Sequence, residues 1–308
     1  MENTLGIIIL NYNGYADTVE LIDSIKAHVS GTPYEIIVVD NASKENDADL
    51  LEEKYGADIA VLRSPRNKGY AAGNNMGIRH AYERGLKYFC ILNNDTVVAE
   101  DFFAAMMRYL DLHRDVAFVG PALVWPGGAV VQSTGSRIKR LKAMSYNLNA
   151  GAVYADLDKS EIPCDMLVGA CMMFTRETLE QIGYLPEVYF LCFEETEWCL
   201  KAKDLGKKCV CLPEHYIFHK ESVSMNKQSG LFGYLVVRNR VVFAKRTLPL
   251  PLFLVFLFYN TCRLILQSFV FKRNLKEQLR YQHDGLTGKI DKRFPFIWIG
   301  EDGSAVII

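Results

Sequence analysis

The sequence lacks an excess of charge of either sign, and it lacks the common phosphate-binding and cysteine motifs. Among its 308 residues, 35 are basic and 36 are acidic, so the formal net charge is −1. Because there is no global basic field, nucleic acid is not the expected partner. The eight cysteines include no Cys-x-x-Cys pair, and neither G-x-G-x-x-G nor GxxxxGKS/T occurs. Dinucleotide-binding and P-loop chemistry are therefore not indicated.

A signal-peptide pattern, internal repeats and low-complexity segments are also lacking. The first residues, MENT, carry no basic n-region, so we expect a cytosolic protein with reduced thiols. Half of the residues are hydrophobic and 23% are charged, which excludes disorder. One set of spacings resembles a zinc site, formed by Cys209, Cys211, His215 and His219. Because Cys-x-Cys at strand alternation puts both sulfurs on one face, we favour core packing over zinc.

Apolar strand patterns alternate with helical patterns over the first 120 residues. The strand patterns are Leu5–Leu10, Glu35–Val39, Ile59–Leu62 and Tyr88–Leu92. The helical patterns lie near Tyr15–His28, Glu45–Tyr55, Ala71–Arg84 and Asp101–His113. Continuous apolar strands separated by helices predict a doubly wound α/β fold, with a mostly parallel sheet covered on both faces.

The pattern loosens after Pro121. Trp125–Asn149 contains turn signals and basic residues, and we interpret it as an insertion or lid. An acidic cluster leads into a helix within Tyr189–Gly206, and Lys208–Ile217 is typical of a further strand. From about Leu231 the chain is helical and increasingly apolar.

Polar residues follow three of the predicted strands. They are Asn11 and Asn13 after the first, Asp40 and Asn41 after the second, and Asn93, Asn94 and Asp95 after the fourth. In open α/β sheets, ligands bind outside the carboxyl ends of the strands, so together these residues predict one polar pocket. Taken singly, each of them is more typical of a turn or a helix cap.

Three segments carry residues suited to a charged ligand. Asn67–Gly77, NKGYAAGNNMG, combines glycines that allow close backbone approach with asparagines that bind polar edges. Asp95 ends the segment LNND, and a hard cation on phosphate oxygens often takes only one or two carboxylates. Phe193–Trp198, FEETEW, places three carboxylates beside aromatic rings. One of them could act as a general base of raised pKa; the alternative is an acidic helix N-terminus.

In this order, the segments resemble the inverting nucleotide-sugar glycosyltransferases of family 2, most closely the bacterial rhamnosyltransferase-like branch. The matching segments are Ile7–Gly14, Val38–Ser43, NKGYAAGNNMG, LNND, Leu167–Glu177, Tyr189–Gly206, Phe218–Ser224, the RNR of Arg238–Arg240, and Gly285–Lys289. The resemblance covers roughly residues 5–290 and implies the GT-A fold, a Rossmann-like mostly parallel sheet. It implies a catalytic domain over 1–230, with a nucleotide-sugar part to about 120 and an acceptor and base part after it, then a C-terminal helical region over 231–308.

The resemblance also implies roles for individual residues. The residues implied to bind the nucleotide sugar are Asn11, Asn13, Asp40, Asn67, Gly69, Gly73 and Asn94. Among them, Asp40 would accept a hydrogen bond from the imide of a pyrimidine base. Asp95 and His219 would contact Mg²⁺ or Mn²⁺ on the diphosphate. Glu195 stands at the general-base position, and Glu194 is the alternative.

Two positions depart from the family pattern. Asn93 stands at the first position of the metal motif, so Asp95 must serve as its one carboxylate. The acidic cluster carries Glu195 where the family usually has aspartate, which leaves the base assignment open between Glu195 and Glu194.

The resemblance predicts inverting, metal-assisted transfer of a sugar to a hydroxyl of a glycan or lipid-linked acceptor, in the synthesis of cell-surface polysaccharide. The expected donor is dTDP-rhamnose, or a UDP- or GDP-sugar. The alternatives are a nucleotidyltransferase of the same fold and a non-catalytic protein that binds sugar nucleotides.

An apolar segment, Leu248–Phe271, is long enough to raise the question of a transmembrane helix. Polar residues recur along it at helical spacing, namely Asn260, Arg263, Gln267 and Asn274. Basic residues flank it on both sides, namely Lys245, Arg246, Lys272, Arg273, Lys276 and Arg280. We therefore expect a peripheral helix on the inner face of the cytoplasmic membrane. The alternatives are packing onto the catalytic domain or onto a second copy in a homodimer, and a membrane span.

Overall fold

The computed structural model describes residues 5–220, 229–291, 293, 298–299 and 305–306. The segment Phe218–Ser224 therefore lies partly outside the described residues, as does the end of the region 231–308. Within the described residues, one large mixed sheet carries helices on both faces.

Four parallel strands form the first half of the sheet, in the spatial order β3-β2-β1-β4. They are β1 (Leu5–Asn11), β2 (Tyr34–Asp40), β3 (Ile59–Arg63) and β4 (Tyr88–Asn93). Each strand runs one residue past its predicted end, because the ladder is made by backbone groups and continues through a polar residue. Asn11, Asp40 and Asn93 thus lie at the ends of strands rather than in loops.

Helices cover both faces of this half, as the predicted doubly wound fold requires. They are α1 (Tyr15–His28), α2 (Asp47–Tyr55), α3 (Gly69–Glu83) and α4 (Phe103–Leu112). Side chains of α1, α2 and α4 pack on one face of the sheet, and those of α3 pack on the other. Along β1, Ile7 and Ile9 join the first core and Ile8 joins the second, as strand alternation demands.

The second half of the sheet mixes strand directions. Its strands are β5 (Thr96–Val98), β6 (Val116–Val124), β7 (Val131–Ser133), β10 (Ile162–Cys164), β11 (Cys171–Thr175) and β12 (Lys208–His219), and a separate hairpin joins β8 (Ser136–Lys139) to β9 (Met144–Asn147). β11 lies antiparallel between β4 and β6, and β12 pairs parallel to β6. Two helices follow β11, namely α5 (Arg176–Ile182) and α6 (Glu194–Asp204).

The segment interpreted as an insertion or lid, Trp125–Asn149, contains β7 and the β8–β9 hairpin. Such short strands leave no clear periodicity in the sequence. β7 pairs with β6 and so joins the edge of the main sheet. Its possible motion as a lid stays a prediction.

Three helices form most of the described C-terminal region, namely α7 (Ser229–Thr247), α8 (Leu250–Val270) and α9 (Leu275–Thr287), before two short strands, β13 (Trp298–Ile299) and β14 (Ala305–Val306), which pair with each other. Phe243 of α7 and Phe256 of α8 share a buried cluster with Tyr189. The cluster contains residues from both sides of the predicted domain boundary at 230, so the two predicted regions share a core there. The boundary itself stays a prediction.

Among the described residues, α8 alone is long and apolar enough to cross a membrane. It ends at Val270, so Asn274 is not part of its polar stripe. Asn274 instead caps α9, where its side chain accepts a hydrogen bond from the backbone N–H of Glu277.

The glycines of NKGYAAGNNMG serve close packing. Gly69 has a φ of +82°, and a Cβ there would lie 2.2 Å from the carbonyl oxygen of Phe190. The backbone N–H of Tyr70 donates to that same oxygen at 2.7 Å. At Gly73, a Cβ would lie 2.4 Å from the side chain of Leu10. The start of α3 is therefore fitted against the segment that precedes α6.

We predict that Gly69→Ala destabilises the protein more than Gly85→Ala. Gly85 has a similar φ of +81°, but nothing lies within 4 Å of a Cβ there. Both substitutions incur left-handed strain of about 1–2 kcal/mol. Gly69→Ala must also displace Phe190, which adds about 1–3 kcal/mol. Urea unfolding measures the free energy of unfolding of both variants. Equal losses of this free energy would contradict the close approach of Phe190 to Gly69.

Candidate active site

Asn11 holds together the loops that follow β1 and β2. It is fully buried, and its Nδ2 lies 3.0 Å from Asp40 Oδ1, 3.0 Å from Asp47 Oδ2 and 3.1 Å from Ser43 Oγ. Its Oδ1 accepts a hydrogen bond from Thr18 Oγ1 at 2.8 Å. Other protein groups bind both the nitrogen and the oxygen of this amide. Asn11 therefore acts on the predicted nucleotide pocket by holding Asp40, Ser43 and Asp47 in position.

Ser43 completes this arrangement. Its hydroxyl donates to Asp40 Oδ1 at 2.5 Å and accepts from the backbone N–H of Asn13 at 2.9 Å. The side-chain oxygen of Asn13 accepts in turn from the backbone N–H of Lys44 at 2.8 Å. Asn13 and Asp40 are therefore tied into one polar cluster. Neither Ser43 nor Asp47 was predicted as a site residue, although Ser43 ends the matching segment Val38–Ser43.

Asn41 joins the loop before α3 to the same cluster. Its Nδ2 donates to Asn67 Oδ1 at 3.0 Å and to the carbonyl oxygen of Gly69 at 3.1 Å. The backbone N–H of Gly69 also donates to Asn67 Oδ1, at 2.9 Å. Asn11, Asp40, Asn67 and Gly69 thus meet at the carboxyl edge of the sheet, where the sequence predicted a pocket. Their contact with a donor stays a prediction.

Asn94 and Asp95 follow β4 at this same edge. Asn94 Nδ2 lies 3.3 Å from the carbonyl oxygen of Gly14 and 3.2 Å from Thr18 Oγ1, so Asn94 ties the end of β4 to the start of α1. Asp95 is buried, and its backbone oxygen accepts from the N–H of Lys220 at 3.0 Å.

His219 reaches Asp95 because the last residues of β12 pair with β5. His219 is opposite Thr96 in this pairing, and His219 Nε2 lies 3.5 Å from Asp95 Oδ1. An imidazole nitrogen and a carboxylate oxygen are both ligands that Mn²⁺ accepts, so the donor set fits the implied metal. Within the described part of the chain, no group of three or more histidine, cysteine or acidic residues could hold a metal ion. Of the residues with zinc-like spacing, Cys209 and Cys211 are both buried in the second core.

The acidic pair begins α6, directly after two residues with left-handed backbone. Cys192 has a φ of +70° and Phe193 a φ of +79°. Glu194 is 2% exposed and Glu195 is partly exposed. In each carboxyl group, Oε2 is buried and makes no hydrogen bond to the described residues. Among the described residues, these two oxygens therefore stay available for a further hydrogen bond.

Burial and the charge of the neighbouring carboxyl group act on the pKa values of the two glutamates. Burial raises the pKa of Glu194 well above its usual value, and the charge of Glu195 raises it further. Burial also raises the pKa of Glu195, but hydrogen bonds from its own backbone N–H, from Glu194 and from the N–H of Gly169 oppose this. The acidic pair therefore holds a proton to a higher pH than two exposed glutamates would.

Tyr70 lies near enough to the acidic pair and to Asp95 to be affected by their charges. Its hydroxyl donates to the carbonyl oxygen of Gly169 at 2.6 Å. Burial raises the pKa of Tyr70 well above its usual value, and the charges of Glu195, Glu194 and Asp95 raise it further. The phenol therefore stays protonated beside three carboxyl groups. The sequence contained no clear signal for it, because tyrosines in helices usually serve packing.

The RNR segment of α7 binds three separate backbone segments. Arg238 donates to the carbonyl oxygen of Lys289, and Arg240 donates to that of Lys142. Between them, fully buried Asn239 donates to the carbonyl oxygen of Leu191 at 2.9 Å and to that of Cys192 at 3.2 Å. Asn239 thus supports the strained residues that lead into Glu194.

A family model described as glycosyl transferase family 2 matches residues 6–183, more than half of the chain. The chain belongs to this family. The expected family, the GT-A fold and the prediction of an enzyme are therefore confirmed. The match ends before Glu194, Glu195 and His219, so their roles in this glycosyltransferase still rest on the sequence resemblance.

Individual relatives agree with the family. The hexosyltransferase Agl10 of low-salt glycan biosynthesis from Haloferax volcanii is 28% identical over 78% of this chain and 75% of its own. The dTDP-rhamnosyl transferase RfbF from Shigella flexneri is 21% identical over 71% of this chain and 70% of its own.

Solved structures share the fold at low identity. GalNAc-T7 with UDP, GalNAc and Mn²⁺ has a TM-score of 0.59 at 15% identity, and the match covers 79% of this chain but only 47% of that one. The mannosyltransferase PcManGT from Pyrobaculum calidifontis, with GDP-Man and Mn²⁺, has a TM-score of 0.57 at 17% identity, over 94% of this chain and 75% of that one.

We predict that Glu194→Gln stabilises this glycosyltransferase increasingly as the pH rises. In the wild type, the folded chain keeps a proton on Glu194 that the unfolded chain releases above about pH 4.3. The free energy of unfolding of the wild type therefore falls as the pH rises through this range, by up to about 1.4 kcal/mol per pH unit. In Glu194→Gln, the free energy of unfolding does not fall with pH for this reason, because the glutamine side chain does not titrate.

Urea unfolding at a series of pH values measures the effect. The matched control is Glu177→Gln, which removes an exposed carboxyl group in the first turn of α5. A constant difference for Glu194→Gln would show that this carboxyl group titrates alike in the folded and unfolded chain.

Proposed function

We propose that this family 2 glycosyltransferase transfers L-rhamnose from a nucleoside-diphosphate donor to a hydroxyl of a glycan or lipid-linked acceptor, with inversion, in the synthesis of cell-surface polysaccharide. One observation carries the proposal: Glu195 of the acidic pair and the hydroxyl of Tyr70 both lie beside Gly169, and the charge of Asp95 acts on the same Tyr70. The names of the Haloferax and Shigella relatives support glycan synthesis and a rhamnosyl donor. An O-antigen biosynthesis protein of Myxococcus xanthus, 25% identical over 66% of this chain and 16% of its own, supports the polysaccharide context.

The proposed donor site is the cluster at the carboxyl edge of the sheet. Asp40 would accept a hydrogen bond from the imide of the base, and its position is held by Asn11 and Ser43. Asn67 and Gly69 bring polar groups and backbone to the same edge. A UDP- or GDP-sugar is the alternative donor, since the solved neighbours hold UDP or GDP-Man.

We propose that Asp95 and His219 hold Mg²⁺ or Mn²⁺ when the donor is bound. The two side chains lie 3.5 Å apart and offer one oxygen and one nitrogen ligand. The solved neighbours hold Mn²⁺ together with nucleotide or nucleotide sugar. Such an ion neutralises the negative charge that develops on the diphosphate leaving group.

In the proposed mechanism, Glu195 accepts the proton of the acceptor hydroxyl. The hydroxyl oxygen forms its bond to the anomeric carbon from the side opposite the diphosphate, while the bond from that carbon to the diphosphate oxygen breaks with its electron pair. The configuration therefore inverts, and no covalent sugar–enzyme intermediate forms. In this proposal the acidic pair retains one proton, because burial raises the pKa of both carboxyl groups, and Glu195 is the member that acts as the base.

We predict that Glu195→Gln lowers kcat for sugar transfer at least about 10²-fold, because the amide cannot accept the acceptor proton. Nucleotide affinity should stay within about twofold, since the donor cluster is untouched. Turnover with dTDP-rhamnose, UDP-sugars and GDP-sugars gives the rate, and calorimetry with dTDP, UDP and GDP gives the affinity. Glu177→Gln again provides the matched control.

Three outcomes would contradict the proposal. Undiminished turnover of Glu195→Gln would remove Glu195 as the base. Retention of anomeric configuration, read by NMR on the product, would remove the direct displacement. Binding of sugar nucleotides by the wild type without any transfer or donor hydrolysis would favour the non-catalytic alternative.

We also propose that the enzyme binds the inner face of the cytoplasmic membrane through α8. Apolar side chains form one stripe at helical spacing on the exposed side of α8, including Val255, Phe258, Leu266 and Phe269. Phe258 is 74% exposed and Phe269 is 78% exposed. Large exposed apolar stripes on a helix are typical of lipid-binding surfaces.

The polar side of α8 is turned toward the protein. Asn260 is fully buried and donates to Gln282 of α9 at 2.7 Å. Arg263 donates to Asn260 and to Gln267 along the same helix. A spanning helix would have to give up the packing on α9, so the arrangement favours a helix that lies on the membrane with its apolar stripe outward.

Positive charge lies at one end of the stripe. Lys272, Arg273 and Lys276 are exposed and directly follow exposed Phe271. Each basic residue near an anionic bilayer contributes about 1 kcal/mol of binding free energy. This charge selects an anionic lipid surface over a second copy of the same chain, whose own stripe end would carry the same sign.

We predict that Phe258→Gln with Phe269→Gln weakens binding to vesicles of phosphatidylcholine and phosphatidylglycerol about tenfold or more, because two apolar side chains no longer enter the bilayer. Lys272→Glu with Lys276→Glu should weaken binding to these vesicles but leave the weak binding to pure phosphatidylcholine unchanged. Vesicle flotation measures both. The matched controls lie on α4: Leu112→Gln, at a side chain 72% exposed, and Arg108→Glu.

Other results would contradict the proposal that α8 binds the membrane surface. If the wild type does not float with anionic vesicles, the proposal fails. A homodimer that the phenylalanine variant dissolves would assign the stripe to a second copy. Release from native membranes by detergent but not by carbonate would assign α8 to a span.

A further inference from the structure

Gln132 of β7 binds His219 through both ends of its amide. Gln132 Nε2 donates to the backbone carbonyl oxygen of His219 at 2.7 Å. Gln132 Oε1 lies 2.8 Å from His219 Nδ1. Both side chains are buried, and β7 reaches His219 because β6 pairs with β7 on one side and β12 on the other.

These two contacts determine where the imidazole carries its hydrogen. A carbonyl oxygen only accepts, so the amide nitrogen of Gln132 must face the backbone of His219. The amide oxygen then faces Nδ1, and because it too only accepts, Nδ1 must carry a hydrogen. In the neutral ring, Nε2 is left with a free lone pair.

That lone pair faces a second acceptor. Nε2 lies 3.5 Å from Asp95 Oδ1, and in the neutral ring no hydrogen is available between the two atoms. A lone pair and a carboxylate oxygen side by side favour a cation between them.

We propose that Gln132 is a positioning residue that holds His219 in the Nδ1–H form, so that Nε2 and Asp95 together face a divalent cation. The inference rests on the metal site of the proposed function. It gives a role at the metal site to a residue of Trp125–Asn149, a segment that the sequence analysis interprets only as an insertion or lid. Groups that bind the second nitrogen of a metal-ligating histidine typically change metal affinity 10–100-fold when removed.

Three variants separate this role from simple packing. Gln132→Leu removes both hydrogen bonds to His219. Gln132→Glu keeps an acceptor for Nδ1 and should therefore preserve the ring form. Gln181→Leu, at an exposed glutamine of α5, is the matched control. If Gln132→Leu fails to fold by thermal melting, Gln132→Met takes its place, since its side chain is of similar length.

The first measurement is ¹⁵N NMR of the histidine side chains without metal or nucleotide, at a pH where the rings are neutral. The chain has six histidines, and the loss of one signal in His219→Gln identifies the relevant ring. We expect Nδ1–H for the wild type, Gln132→Glu and the control. For Gln132→Leu we expect Nε2–H, which can then donate to Asp95. Nδ1–H in Gln132→Leu would overturn the inference.

The second measurement is Mn²⁺ affinity by calorimetry, with dTDP, UDP or GDP present, whichever binds the wild type most tightly. Gln132→Leu should weaken Mn²⁺ binding about 10–100-fold, and Gln132→Glu should restore most of it. Asp95→Asn should abolish it. Unchanged Mn²⁺ binding in Asp95→Asn would overturn the proposed metal site itself, whereas loss in Asp95→Asn without loss in Gln132→Leu would overturn only the role of Gln132.

Discussion

The candidate site depends on the buried amide of Asn11 at the end of β1. One side-chain nitrogen lies within hydrogen-bond distance of Asp40 and Asp47, two acidic residues that the fold brings to the same edge of the sheet. Each hydrogen bond to a charged group of this kind stabilises the fold by about 1.5–3 kcal/mol. Without a donor between them, two buried carboxylates would repel each other, and the loops that carry Ser43 and Asn13 would lose their shared anchor.

Around this edge, the second half of the chain supplies the groups suited to chemistry. β12 brings His219 to Asp95, and the segment before α6 brings Glu195 beside Tyr70. α7 supports that segment from behind, since Asn239 binds the carbonyl oxygens of Leu191 and Cys192. The C-terminal helices therefore do more than pack: α7 supports the segment that leads into Glu194 and Glu195, and α8 presents an apolar stripe outward.

Much of the first half could be predicted from the sequence, because its signals are local. The strand β1 and the helix α1 follow from apolar runs and from 3.6-residue spacing, and α1 has its predicted ends. The strands of Trp125–Asn149 could not be predicted, because they are short and stabilised by distant partners. Gln132 lies on one of them, so its contact with His219 was invisible as well.

The sequence by itself determined the family, the order of strands and helices along the first half, and the residue types at the strand ends. It also determined the apolar composition of α8 and its basic flanks. The tertiary structure alone decided that burial raises the pKa of Glu194 and Glu195, which nitrogen of His219 faces Asp95, and which side of α8 is exposed. These depend on burial and on contacts between residues far apart in the chain, such as Gln132 and His219, and no local pattern encodes such contacts.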